Sequence, residues 1–165
     1  MAGDTTDEIV ASWDREVPGV AGDAFALGKR ASRLAALLSA PVEATLTRFG
    51  LTKAEFDVLA VLRAAGSPYR LRPSTLSQRL LLTSGGTSNV LRRLAAAGLV
   101  ERDPDRSDAR SSWVRLTDRG AETAEQAVRA ATAAQAAALR DVPAATVHAA
   151  SEALRAALIA LDDIP

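Results

Sequence analysis

Between Phe25 and Phe49 the apolar residues Phe25, Leu27, Ala31, Leu34, Leu37, Leu38, Val42, Leu46 and Phe49 recur at three- and four-residue spacing. That is the period of one helix face, so a long helix is predicted. Pro41 is expected to kink it or to sit near a break, since it lacks a backbone donor and crowds the preceding turn. Gly50 reads as a C-cap, and Thr52 with Glu55 has the capping-box spacing for a second helix carrying Phe56, Leu59, Ala60 and Leu62 to Gly66. The segment GSPYRLRP has turn chemistry with a short extended piece around Leu71, because the residue before Pro73 is pushed out of helical space. A third helix is predicted from about Ser74, with Leu76, Leu80 and Leu81 as its buried side. A fourth, capped by Thr83 or Ser84, runs to about Ala97 and stops at Gly98.

Past Gly98 the period changes from 3.6 to 2. Leu99, Val100 and Arg102 lead into the turn-rich DPDRSDAR, and Trp113, Val114 and Leu116 lead out, which predicts a β-hairpin with a charged tip. Thr117 caps a fifth helix, AETAEQAVRAATAAQAAALR, and Pro143 starts a sixth, AATVHAASEALRAALIALDDI. Two short helices joined by a tight turn and followed by a hairpin describe a mainly α protein, a winged helix-turn-helix with a small β-hairpin wing. The Ala-rich terminal helices exceed what one such domain buries, so they are expected to pack against a second copy of the chain. The expected organisation is N-terminal dimerisation helices over 1–50, the winged helix-turn-helix over 51–120 and C-terminal dimerisation helices over 121–165.

Composition and charge narrow the function. There is no cysteine, which excludes disulfides, thiolate metal sites and thiol switches. No run of about 18 apolar residues occurs and the N-terminal segment is acidic, so a soluble, cytoplasmic chain with no membrane partner is expected. The formal charge is zero, yet residues 66 to 120 hold ten arginines against five acids, with acidic flanks on both sides. A basic middle gives a local field that attracts a polyanion whatever the total charge.

The fourth helix concentrates the candidate chemistry. Its inner residues Val90, Leu91 and Leu94 are predicted to share a small core with Leu76 and Leu80, which leaves Gly85, Ser88, Asn89, Arg92 and Arg93 outside. Asn89 can pair bidentately with adenine, Ser84 and Ser88 can bond base edges or phosphates, and Arg92 and Arg93 can take phosphates or guanine. Gly85 and Gly86 lower helix propensity, but at a helix N-terminus they bare N–H groups and let an anion approach. The alternative is that they only ease a tight turn. No nucleotide-binding glycine fingerprint is present, no Ser-His-Asp arrangement is evident, and the lone His148 has no metal-spaced partner. This argues against an enzyme, and no cofactor or metal is expected.

At this point the residues resemble a known family. The stretch from Asp108 and Arg110 through Trp113 to Leu116 and Thr117, with Gly120 after it, looks like the D-x-R…L-T wing signature of MarR-type transcriptional regulators. "LRRLAAAGLVERDPD" matches the segment before it. The resemblance runs from about Phe25 to Arg140. It implies a homodimer joined through its terminal helices, binding double-stranded DNA at a near-palindromic operator and acting as a repressor. Carried over by position, Arg110 is the wing-tip residue entering the minor groove, where negative potential is concentrated. Asp108 braces the hairpin through an arginine, and Arg106 belongs to the same basic tip. The alternative for Asp108 and Arg110 is an ion pair that stabilises the hairpin without touching a ligand.

Members of that family commonly bind small anionic or aromatic effectors. Trp13-Asp14-Arg15-Glu16-Val17-Pro18 and the later "EFDVL…PYRL…LLLTSGG" are similar to its urate-responsive, PecS-like branch. That likeness implies ligand-linked roles for Trp13, Asp57 and Arg102. The branch carries an arginine one place after the Asn, where this chain has Val90. A different class of function remains open from the residues alone, a winged-helix dimer that binds protein and not DNA.

Overall fold

A computed structural model of the chain describes residues 3–104 and 112–161. The elements are α1 (Thr5–Glu16), α2 (Asp23–Leu46) followed by a single 3₁₀ turn (Thr47–Phe49), α3 (Lys53–Ala64), β1 (Arg70–Leu71), α4 (Pro73–Arg79), α5 (Ser84–Ala96), β2 (Val100–Pro104), β3 (Ser112–Leu116), α6 (Asp118–Ala138) and α7 (Ala144–Ala160). The chain divides into two compact units, Met1–Pro41 and Val42–Pro165.

In the first unit, α1 precedes the long helix that the apolar period predicts, and its own bounds are set by a cap. Asp4 is its N-cap: Oδ1 accepts from the amides of Thr6 at 2.8 Å and Asp7 at 3.0 Å, while Asp7 Oδ2 accepts from the Asp4 amide at 2.8 Å. Two aspartates thus form a capping box that satisfies otherwise orphaned N–H groups. Arg30, on α2, donates to Asp4 Oδ2 at 2.8 Å and to Asp7 Oδ1 at 2.6 Å, which ties α2 to the start of α1. Pro41, expected to kink the helix or to sit near a break, lies inside α2, which is continuous through it. Proline there gives up one i→i−4 hydrogen bond and crowds the preceding turn, and the helix nevertheless continues to Leu46.

The second unit holds the core. Leu46, Val58, Leu59, Leu62, Leu76, Leu91, Leu94, Val114 and Leu116 are buried together, and the small residues Ala124, Ala127 and Ala131 of α6 bring that helix close to them. The sheet order is β1-β3-β2, all antiparallel, with Arg70 opposite Arg115 and Val100 opposite Leu116. Thr52 and Glu55 form the expected capping box of α3, and Thr117 caps α6 by accepting from the Gly120 amide at 3.0 Å. Gly120 is required by close approach: a Cβ there would lie 1.9 Å from the Leu99 carbonyl oxygen, which itself accepts from the Thr117 amide.

One core assignment is corrected. Leu81 was expected on the buried side of the third helix, but it is 89% exposed. The helix ends at Arg79, and Leu81 has φ of 51°. The Leu82 amide donates to the Ser77 carbonyl and the Leu81 amide to that of Gln78. This is the Schellman arrangement, whose left-handed position turns the side chain outward. The same pattern at the end of α5 has Gly98 in that position, with φ of 67°.

Candidate nucleic-acid interface

Helix α5 is built on a cap and a polar anchor. Thr83 Oγ1 accepts from the Gly86 amide at 3.1 Å, which starts the helix at Ser84. Thr87 is buried and its hydroxyl bonds that of Ser77 on α4 at 2.8 Å, so the crossing of the two helices is fixed in register as well as by Leu76, Leu91 and Leu94. Thr87 escaped the sequence reading, although it precedes Leu91 by four residues and Leu94 by seven, on the buried face.

Opposite that face, Ser84, Gly85, Ser88, Asn89 and Arg92 are exposed. They lie at helical spacing, so one side of α5 presents bare backbone, a hydroxyl, an amide and a guanidinium together. Arg92 Nη2 donates to Asn89 Oδ1 at 2.6 Å. A Cβ on Gly85 would meet nothing within 4 Å, whereas one on Gly86 would lie 3.1 Å from the capping Thr83 hydroxyl. The first glycine therefore answers no packing need among the described residues.

Arg93 sits at the flank of this face. Its Nε lies 3.0 Å from Glu55 Oε1, and Glu55 is only 6% exposed. The other carboxylate oxygen accepts from the Thr52 amide and hydroxyl, both at 2.8 Å. One buried acid thus caps α3 and holds the outer edge of α5.

The hairpin adjoins α5 across a groove of about 350 Å³, floored by Leu91, Val100 and Val114 and rimmed by Ser88, Arg92 and Arg102. Arg102 donates to Ser112 Oγ at 3.2 Å across the hairpin, and Arg115 pairs with Glu101. Arg106, Asp108 and Arg110, expected at the wing tip, lie outside the described residues. Of the residues linked to ligand response, Asp57 accepts from Lys53 Nζ at 2.6 Å on the exposed start of α3. Trp13 belongs to α1 in the other unit and is 48% exposed. His148 is exposed on α7, and no cluster of three or more potential metal ligands occurs among the described residues. No helix among them is long and apolar enough to cross a membrane.

Two helices in a fixed crossing, the second with an exposed polar face, joined to a three-stranded antiparallel wing, define a winged helix-turn-helix protein. The profile of the MarR family matches residues 49–111. The HTH-type transcriptional regulator PecS of Dickeya dadantii is 32% identical over 113 residues, covering 68% of each chain. The HTH-type transcriptional repressor Rv2887 of Mycobacterium tuberculosis is 38% identical over 118 residues, covering 70% of this chain and 82% of that one. Among solved structures, Sco5413, a MarR family transcriptional regulator of Streptomyces coelicolor, has a TM-score of 0.73 at 26% identity, over 86% of this chain and 96% of that one. Rv2887 in complex with p-aminosalicylic acid gives 0.64 at 31%, over 78% and 95%. The chain belongs to the MarR family of transcriptional regulators.

Proposed function

We propose that this regulator is a homodimeric, sequence-specific DNA-binding repressor, released from its operator by a small anionic or aromatic ligand. The observation that carries the reading is the outer face of α5, where Gly85, Ser88, Asn89 and Arg92 are exposed side by side while the opposite face is buried. An Asn suits the donor and acceptor edge of adenine, an Arg suits guanine or phosphate, and an unhindered helix N-terminus suits phosphate. Ser84, Gly86 and Arg93 flank these groups, and Arg106, Asp108 and Arg110 extend the contact through the wing by their likeness to the family's motif.

The dimer is supported by α7, which buries none of its residues and leaves Leu158 and Ile159 exposed. Two α5 helices in a two-fold pair would enter successive major grooves about 34 Å apart and read a near-palindrome. An effector is supported by the p-aminosalicylic acid complex of Rv2887. Trp13, Asp57 and Arg102 are the proposed response residues. Such a ligand shifts the dimer away from its DNA-fitting arrangement only by its differential affinity for the two states.

The test is a gel shift with the region upstream of the chain's own gene over a range of salt. Binding that falls steeply with salt supports the reading, because displaced counterions set the slope. A folded protein that binds no fragment at low salt overturns it and favours a protein-interaction module.

A further inference from the structure

The face of the sheet turned away from the core carries a stack that the DNA-binding reading does not use. Val114 and Leu116 of β3 point into the core, so the alternating Trp113 and Arg115 lie on the other side. The Arg70 guanidinium lies 4.9 Å from the centre of the Trp113 ring and that of Arg72 lies 4.5 Å from it. Arg70 also donates to Asp103 Oδ2 at 2.9 Å, and Asp103 is the β2 residue paired with Trp113. One indole thereby joins β1, β2, β3 and the start of α4, where Arg72 is the N-cap residue.

The register shows what this stack replaces. Strand β1 pairs with β3 only at Arg70 with Arg115 and Leu71 with Val114. Continued by one residue, the ladder would set Arg72 opposite Trp113, but there the chain turns into α4. Among the described residues the ladder to β1 stops at Val114, and Trp113, with both guanidiniums close to its ring, ties the hairpin to the helix-turn-helix at that point. A cation over an indole face is the strongest of the aromatic–cation pairs.

We infer that Trp113 is a positioning residue: held by Arg70 and Arg72, it sets the angle of the wing to α5, so that hairpin and helix meet DNA as one preorganised surface. This rests on the DNA-binding reading above. Ordering the hairpin before binding removes that cost from the association itself.

The full-length chain, Trp113→Ala, Trp113→Phe and Arg72→Gln are compared in two measurements: amide hydrogen exchange of the free proteins, and hydroxyl-radical protection of a fragment that the parent chain binds. In Trp113→Ala the β2 and β3 amides should exchange faster, while those of α3 and α5 keep their protection. Affinity should fall about tenfold, the size of one cation–π pair with lost preorganisation, with protection lost selectively outside the α5 footprint. Trp113→Phe should restore most of both, and Arg72→Gln should move both in the same direction with smaller effect. Unchanged hairpin exchange in Trp113→Ala and Arg72→Gln overturns the proposal. So does a uniform loss of protection that Trp113→Phe does not rescue, which would make the ring ordinary fold support. If the parent protects no fragment, the DNA-binding reading fails by itself, and the exchange comparison alone decides whether Trp113 fixes the hairpin.

Discussion

Arg92 donates to Asn89 Oδ1 at 2.6 Å, one turn away on the outer face of α5. The bond holds the Asn89 amide in one orientation and lays the guanidinium along the helix. An adenine read by Asn89 needs that same oxygen as acceptor for its amino group, so the two side chains engage DNA as a coupled pair. With Asn89 reading a base edge, Arg92 is expected to contact phosphate. Arg92→Ala should then weaken binding to every sequence by a similar factor and reduce the salt slope by about one. Fluorescence anisotropy at several salt concentrations measures it, and an unchanged slope would assign Arg92 another role.

Gly85→Ala separates stability from function. With nothing within 4 Å of the new methyl group, the variant gains helix propensity without a clash. The free protein should become more stable by about 0.4–1 kcal/mol while binding DNA more weakly, since the methyl group keeps the backbone from phosphate. Gly86→Ala should show no such gain, because its methyl group crowds Thr83 Oγ1 at 3.1 Å and disturbs the cap. Urea denaturation of both variants beside binding measurements gives the comparison. A Gly85→Ala protein with undiminished affinity would leave that glycine with no role at the interface.

Glu55 and Arg93 should respond unequally to truncation. Glu55→Ala removes the side-chain half of the capping box and the ion pair together, leaving the bond from its amide to Thr52 Oγ1, and should cost about 2–3 kcal/mol. Arg93→Ala leaves both Thr52 hydrogen bonds to the carboxylate in place, and its half-exposed partner bond should cost about 1 kcal/mol or less. Chemical denaturation distinguishes them. Equal losses would mean that the ion pair, and not the cap, dominates at Glu55.

Acid should loosen α1 first at its cap. The hydrogen bond from Arg30, with its charge and the amides of Asp7 and Thr6, holds the Asp4 carboxyl below its ordinary value despite some desolvation. A lowered folded-state pKa means that the contribution is fully present above the ordinary value of 3.8 and is lost as pH falls through the lower folded one. The Thr6 and Asp7 amides should lose exchange protection over that acidic range, and Asp4→Asn should remove the pH dependence. A carboxyl at Asp4 that titrates at its ordinary value by NMR would contradict this.

What the sequence revealed follows the range of the interactions. The Thr52 and Glu55 box, the Thr117 cap and the Gly98 stop are contacts within a few residues, and each was readable from spacing. The Asp4 and Asp7 box is equally local but uses a second aspartate where a glutamate signals the pattern, so spacing does not mark the start of α1. Leu81 misled because periodicity assumes that a helix continues, and the Schellman turn at Arg79 ended it. The Glu55 clasp on Arg93 spans two helices and the Arg70–Trp113–Arg72 stack joins a strand, a helix cap and the wing. Such contacts arise only when the core brings the elements together, so Arg93 read as an unencumbered outer charge and Trp113 only as a strand residue.

The most direct test of α5 as the reading element is selection of bound sequences from a randomised DNA pool by the parent chain and by Asn89→Ala. The parent should enrich a near-palindrome with half-sites about one helical turn apart. Asn89→Ala should keep its salt slope but lose preference at one symmetric pair of adenines, by about 1–3 kcal/mol per site. An identical enriched motif from both proteins, or no enrichment by the parent, would contradict the assignment.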